Sequence, residues 1–238
     1  MSAFLYGLLL QFKLDIRSRT LLITCYVVPL LFFAIMGGIF SAVTPDAKQT
    51  LIQAMTIMGV TMGAVIGVPQ SVAEIYGSDI KKVYMANGVP LCLGLVTVFL
   101  SSLLHLFIMS GIICAVAPVA FGAALPANLP LYFASLTIFI AVSLSVGCVL
   151  GLAFKAQAKL VMVAQIVFLP SIMLSGIMFP VGLLPAFLSV LGKLFPAGWG
   201  FRLMSDIGSY GMNLWPLLVV LIVAVALCTV LLKRSRPK

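Results

Sequence analysis

Long apolar runs separated by short charged stretches set the pattern of this chain. Six runs read as helices that cross a bilayer, at about 21–41, 50–73, 90–117, 131–154, 160–180 and 214–232. A hydrocarbon core about 30 Å thick needs roughly 20 helical residues, and each run supplies that length. The runs are continuous and do not alternate over about 10 residues, so helices are expected and barrel strands are not. Ahead of the first run, Phe4, Leu5, Leu8, Leu9, Phe12 and Ile16 recur at helical spacing, with Lys13, Asp15, Arg17 and Arg19 mostly on the other face. That periodicity predicts an interfacial helix over residues 1–20. Residues 181–210 carry Lys193, Arg202 and Asp206 among many leucines and phenylalanines. They are too charged to cross as one helix and too apolar for a solvated loop. A re-entrant or interfacial helical hairpin, broken at Pro180, Pro185 and Pro196, is expected before the last span. The predicted fold is therefore an all-α polytopic membrane protein, a single transmembrane domain over residues 1–238.

Composition agrees with the bilayer as solvent. Of 238 residues 63 % are hydrophobic and 8 % charged, too little polar surface to clothe a water-soluble domain. The formal charge is +9, but the basic residues sit at the ends of apolar runs, so nucleic acid is not an expected partner. Segments 1–20, 74–89, 155–159 and 233–238 hold eleven of the fourteen Lys and Arg residues; Lys48, Lys193 and Arg202 lie on the other side. An excess of positive charge marks the cytoplasmic loops. Both termini are accordingly expected in the cytoplasm, in the plasma membrane of a bacterial cell. Cys25, Cys92, Cys114, Cys148 and Cys228 all fall inside apolar runs and read as small buried residues, with no metal site expected. The charged first twenty residues do not resemble a cleavable signal.

Chemistry is sparse within the spans. None of the five acids lies near the middle of a run. His105 stands alone in the third span and reads as a neutral, hydrogen-bonded packing residue. An intramembrane lipid enzyme would need clustered acids or histidines, and no catalytic residue is expected. No Gly-rich phosphate loop ending in Gly-Lys-Ser or Gly-Lys-Thr occurs in the chain, so any ATP that drives it must bind elsewhere.

Four groups of residues are candidates for function. The segment Glu74 to Pro90, EIYGSDIKKVYMANGVP, is short, charged and amphipathic. Ile75, Ile80, Val83 and Tyr84 suit a partner's groove, with Glu74, Asp79, Lys81 and Lys82 at its rim; on composition an ordinary positive-inside loop fits equally well. Gly59, Gly63 and Gly67 repeat every four residues in the second span, as Gly147 and Gly151 do in the fourth. Such stripes let helices approach closely, within one bundle or between subunits. Met55, Met58 and Met62 share a face of the second span, with Gln53 and Thr56 near its outer end; in the fifth, Pro170 falls among Gln165, Ser171 and Ser175. A proline frees backbone carbonyls, which here lie near polar side chains that could line a pathway.

At these last residues the sequence resembles the ABC-2 family of exporter permeases, over nearly the whole chain. LPSIMLSGIMFPVGLLPAFLSVLGKLFPAGW, Leu169 to Trp199, is similar to the family's fifth span and outer hairpin in the order Ser175, Gly176, Phe179, Pro180, Leu184, Pro185, Phe195, Pro196. The segment from Glu74 is similar to its cytoplasmic coupling helix at Glu74, Gly77, Lys81 and Lys82, with Asp79 and Tyr84 in the same stretch. The resemblance implies a six-helix half-transporter that pairs with a second permease chain, as homo- or heterodimer, and with two copies of a P-loop ATPase subunit. ATP and Mg would be bound on that ATPase, none by this chain. A pathway between the second and fifth spans, bounded by membrane lipids and used for export, is the implied function. A stand-alone secondary carrier or channel for a small or amphipathic solute is the alternative.

Overall fold

The computed structural model describes residues 3–43, 48–77, 84, 86, 88–178, 184–206, 208 and 210–234; the side chains of residues 3, 4 and 43 are outside that description. Among the described residues every regular element is helical. The helices are α1 (Ala3–Arg17), α2 (Arg19–Ala42), α3 (Leu51–Gly77), α4 (Leu91–Phe121), α5 (Leu129–Ala153), α6 (Gln157–Met173), α7 (Ala186–Gly192), α8 (Pro196–Ser205) and α9 (Tyr210–Arg234).

Five of these, α2, α3, α4, α5 and α9, are long and apolar enough to cross a membrane. The fifth expected run, 160–180, is instead the 17-residue helix α6. At 1.5 Å per residue it spans about 25 Å, short of the roughly 30 Å core. Its end is set locally. The helix passes through Pro170 and stops at Met173, after which Gly176 adopts φ 87°, a conformation suited to glycine. The hydroxyl of Ser175 donates to the Ile172 carbonyl at 2.6 Å and steadies that turn. The following segment holds two short helices, α7 preceded by Pro185 and α8 opened by Pro196, both prolines standing where a helix start needs no N–H.

Helix α3 is the axis of the bundle. In its most apolar window 89 % of residues are buried, against 22 % for α2 and 17 % for α9. Leu51 to Thr61 are buried without interruption. Helix α2 packs on one side of it, α4 and α5 on others, and α6 and α8 complete the enclosure. α2 and α9 direct Leu31, Ile35, Ile39, Ile222 and Val223 outward, as a lipid-facing surface requires.

Two backbone irregularities meet at this axis. Ile23–Val27 in α2 and Gly63–Gly67 in α3 are π-helical, and the two segments pack on each other. A π turn widens the helix locally and often marks a working site. Here the widened turn of α3 lets α5 come very near: a Cβ on Gly147 would lie 2.0 Å from the carbonyl oxygen of Ala64. One on Gly151 would lie 2.7 Å from the carbonyl oxygen of Pro69.

Candidate functional site

Polar side chains gather at two places. The first is the end of the bundle where α3 and α5 begin and α4 stops. Helix α4 closes in a left-handed glycine cap, with Gly122 at φ 62°, the Gly122 amide on the Pro118 carbonyl at 3.0 Å and the Ala123 amide on the Ala117 carbonyl at 3.3 Å. The chain then crosses to α5, tied by the Ala124 amide to the Lys48 carbonyl at 3.0 Å, and Asn128 caps α5 by accepting from the Leu131 amide at 3.0 Å. Between this loop, α3, α5 and the end of α8 lies a cavity of about 390 Å³, lined among others by Gln49, Gln53, Asn128, Tyr132, Ser135 and Ser205. Gln53 is 5 % exposed and its Oε1 has no hydrogen-bond partner among the described residues. One turn deeper, the Thr56 and Tyr132 hydroxyls are 2.9 Å apart. Sequence reasoning singled out Gln53 and Thr56 and missed Asn128, Tyr132 and Ser135. Their spacing of four and three residues along an otherwise apolar helix was the available signal.

The second place is the contact of α1 with α4. Asp15 is 3 % exposed, accepts from the Gln11 amide at 2.8 Å and from the Ser101 hydroxyl, and is thereby buried with both neighbours hydrogen-bonded to it. Burial pushes its carboxyl above the ordinary aspartate range, against the opposing pull of those two hydrogen bonds. One turn on, His105 Nδ1 lies 2.8 Å from the Tyr26 hydroxyl and its ring stacks on Phe12 at 4.5 Å, while Nε2 is buried without a partner among the described residues. The helical-wheel expectation for α1 is corrected here. Asp15 turns inward with Gln11, whereas Leu5, Leu9, Leu10, Leu14 and Ile16 are exposed. The acid that the local sequence around His105 lacks is thus supplied by α1, because Ser101 offers it a hydrogen bond one turn away.

The remaining candidates are distributed as follows. Met55 and Met58 are core residues and Met62 is partly buried; none lines the cavity. Gly59, Gly63 and Gly67 face α2 and α4 of the same chain: added Cβ atoms would meet Met109 at 2.8 Å, Leu106 at 2.5 Å and Thr24 at 3.1 Å. Gln165 is exposed, Ser171 and Ser175 are buried, and all three stand apart from the Gln53 cavity. α7 and α8 close over the turn after α6, where Gly192 lies so near that a Cβ would be 2.6 Å from the Leu174 carbonyl oxygen. Cys92 is exposed, contrary to expectation; the other four cysteines are buried and all five are free.

At the opposite end of the bundle, Glu74 and Gly77 are exposed on the last turn of α3. Ile75, expected to face a partner, is buried in its own chain beside Gly94, and the Tyr76 hydroxyl donates to the Leu91 carbonyl. Tyr84 is half-buried against Gly94. Asp79, Lys81 and Lys82 lie outside the described residues, as do Ile80, Val83, Phe179 and Pro180. Lys13, Arg17, Lys155, Lys159, Lys233 and Arg234 are exposed.

Long helices that are apolar outside and closely packed inside, with polar groups gathered around a cavity at one end, are those of a multi-pass membrane protein. The chain belongs to the ABC-2 transporter family: the family model described as ABC-2 family transporter protein matches residues 43–232. It is therefore a membrane permease of an ABC-type transporter, in a family that works with an ATPase subunit. No curated protein matches the chain.

Proposed function

We propose that this chain is the substrate-conducting half of an ATP-driven exporter. The family match over residues 43–232 carries the reading. Two permease chains would pair and two copies of a P-loop ATPase would bind beneath them, holding the ATP and Mg; this chain has no phosphate loop of its own. In this reading α6 is the fifth of six crossings, α7 and α8 form an outer hairpin, and α1 lies in the interface with its exposed leucines in lipid. Both termini are cytoplasmic, in the plasma membrane of a bacterium. The distribution of basic residues supports that orientation.

Coupling falls to residues 74–86. Glu74 and Gly77 end the central helix α3, so force applied there is delivered to the axis of the bundle. Asp79, Lys81, Lys82 and Tyr84 continue the docking segment. The cargo would pass along α3 and α6, where Gln53, Thr56, Met55, Met58, Met62, Gln165, Ser171 and Ser175 are the pathway candidates. Gly59, Gly63 and Gly67 keep α3 close to its neighbours while it moves.

A mild-detergent pull-down with mass identification and an ATPase assay tests this. The expected result is a stoichiometric P-loop ATPase, lost on joint charge reversal Lys81→Glu and Lys82→Glu while membrane insertion persists. Recovery of a well-folded protein alone, moving solute without ATP, would replace the reading with a secondary carrier.

A further inference from the structure

The cavity beside Gln53 has the features of a binding site. Its volume of about 390 Å³ falls within the ~300–1,000 Å³ usual for small-molecule sites. Its walls are held by the Asn128 cap and the Ala124–Lys48 link, so the shape exists before any ligand arrives. The lining is uncharged and mixed: three amides, from Gln49, Gln53 and Asn128, and hydroxyls from Tyr132, Ser135 and Ser205 are set among apolar side chains such as Leu125, Leu131, Leu203 and Met204, as the faces of a sugar ring require. A charged ligand would lose hydration there without meeting an opposite charge among the lining residues.

Gln53 narrows the chemistry further. It is 5 % exposed with no partner for Oε1 among the described residues, and a buried acceptor left without a donor is costly. Asn128 uses its Oδ1 to cap α5 and keeps its amide hydrogens as donors. The site therefore offers an acceptor and donors together, which matches a group that both gives and receives hydrogen bonds. Neighbouring hydroxyls do so whichever way an amide is turned.

We propose that this cavity binds an uncharged, hydroxyl-rich group, reached from the outer face. The outer placement, and its use by cargo, rest on the exporter reading above; binding itself does not. The hydroxyls can come from a free saccharide or from the sugar of a membrane glycolipid.

The protein in phosphatidylcholine nanodiscs would be titrated with maltose by saturation-transfer NMR. In parallel, native mass spectrometry would read binding of digalactosyl diacylglycerol mixed into the disc. Saturable binding in at least one arm is expected, with galacturonate inactive, and the responding arm identifies the source. Gln53→Leu should weaken binding about tenfold, the factor carried by roughly 1.4 kcal/mol, without lowering the melting temperature, since it removes an unpartnered acceptor. Ser205→Ala, at the exposed rim, should also weaken it and serves if Gln53→Leu does not fold. No saturable binding in either arm, equal binding of galacturonate, or binding indifferent to both variants overturns the proposal. Neither arm needs the ATPase, so a negative result leaves the exporter reading standing. Absence of an ATPase partner would likewise leave binding unaffected.

Discussion

Replacing Gly147 by alanine should be among the most damaging single-methyl additions to this bundle. The new Cβ would lie 2.0 Å from the carbonyl oxygen of Ala64, a backbone atom inside a helix that cannot rotate away, so α3 and α5 must separate. Overpacking a close interface costs about 1–3 kcal/mol, and an immovable partner puts this site at the top of that span. Gly38 in α2 is the control, because a Cβ there meets nothing within 4 Å. Gly38→Ala should instead stabilise by about 0.5–1 kcal/mol, the usual gain of alanine over glycine in a helix. The two variants should thus differ by about 3.5–4 kcal/mol, or about 7–16 °C in melting temperature at roughly 2–4 °C per kcal/mol for a chain of this size. Gly63→Ala should fall between them, since its nearest neighbour, Leu106 Cδ2 at 2.5 Å, is the movable end of a side chain. A thiol-reactive fluorophore reports the melt directly: Cys25, Cys114, Cys148 and Cys228 are buried, and a Cys92→Ser background removes the exposed thiol. If Gly147→Ala melts with Gly38→Ala, the close approach of α5 to the π turn of α3 is wrong.

Other expectations follow from the polar contacts. Asp15 has a raised pKa from burial, so the fold favours its protonated form. The stability it contributes is present below the ordinary aspartate value of 3.8 and is lost as pH rises through the raised one. Asp15→Asn should therefore gain melting temperature relative to the wild type as pH is taken from 4.5 to 8; a pH-independent difference would remove Asp15 as the cause. Thr56→Val and Tyr132→Phe, tested singly and together, should show a coupling of about 1 kcal/mol for their buried hydrogen bond. Strict additivity of the two would mean that the hydroxyls do not interact.

Much of the architecture was legible because membrane helices announce themselves by length. The runs predicted at 50–73, 90–117 and 131–154 appear within a few residues as α3, α4 and α5, and Pro185 and Pro196, expected to break the hairpin segment, stand at the starts of α7 and α8. What escaped depends on partners far away in sequence. Asp15 and Ser101 are separated by 86 residues and Thr56 and Tyr132 by 76. A helical wheel could place Asp15 with Lys13 and Arg17, but it could not know that α4 holds a hydroxyl to receive it. The short α6 turned on Gly176, whose left-handed backbone leaves no mark in hydropathy. The π turns of α2 and α3 have no local signature either, because they are stabilised by packing on each other.

The seam between α1 and α4 also constrains how the chain is made. Ser101 follows Asp15 by 86 residues, so α1 leaves the ribosome well before its polar face has anything to bond. During that interval Asp15 and Gln11 have only water and lipid headgroups for company, and the helix must wait at the membrane surface. Its docking belongs to a late stage of biosynthesis, after α4 has been inserted, and a nascent chain halted before α4 would hold α1 undocked.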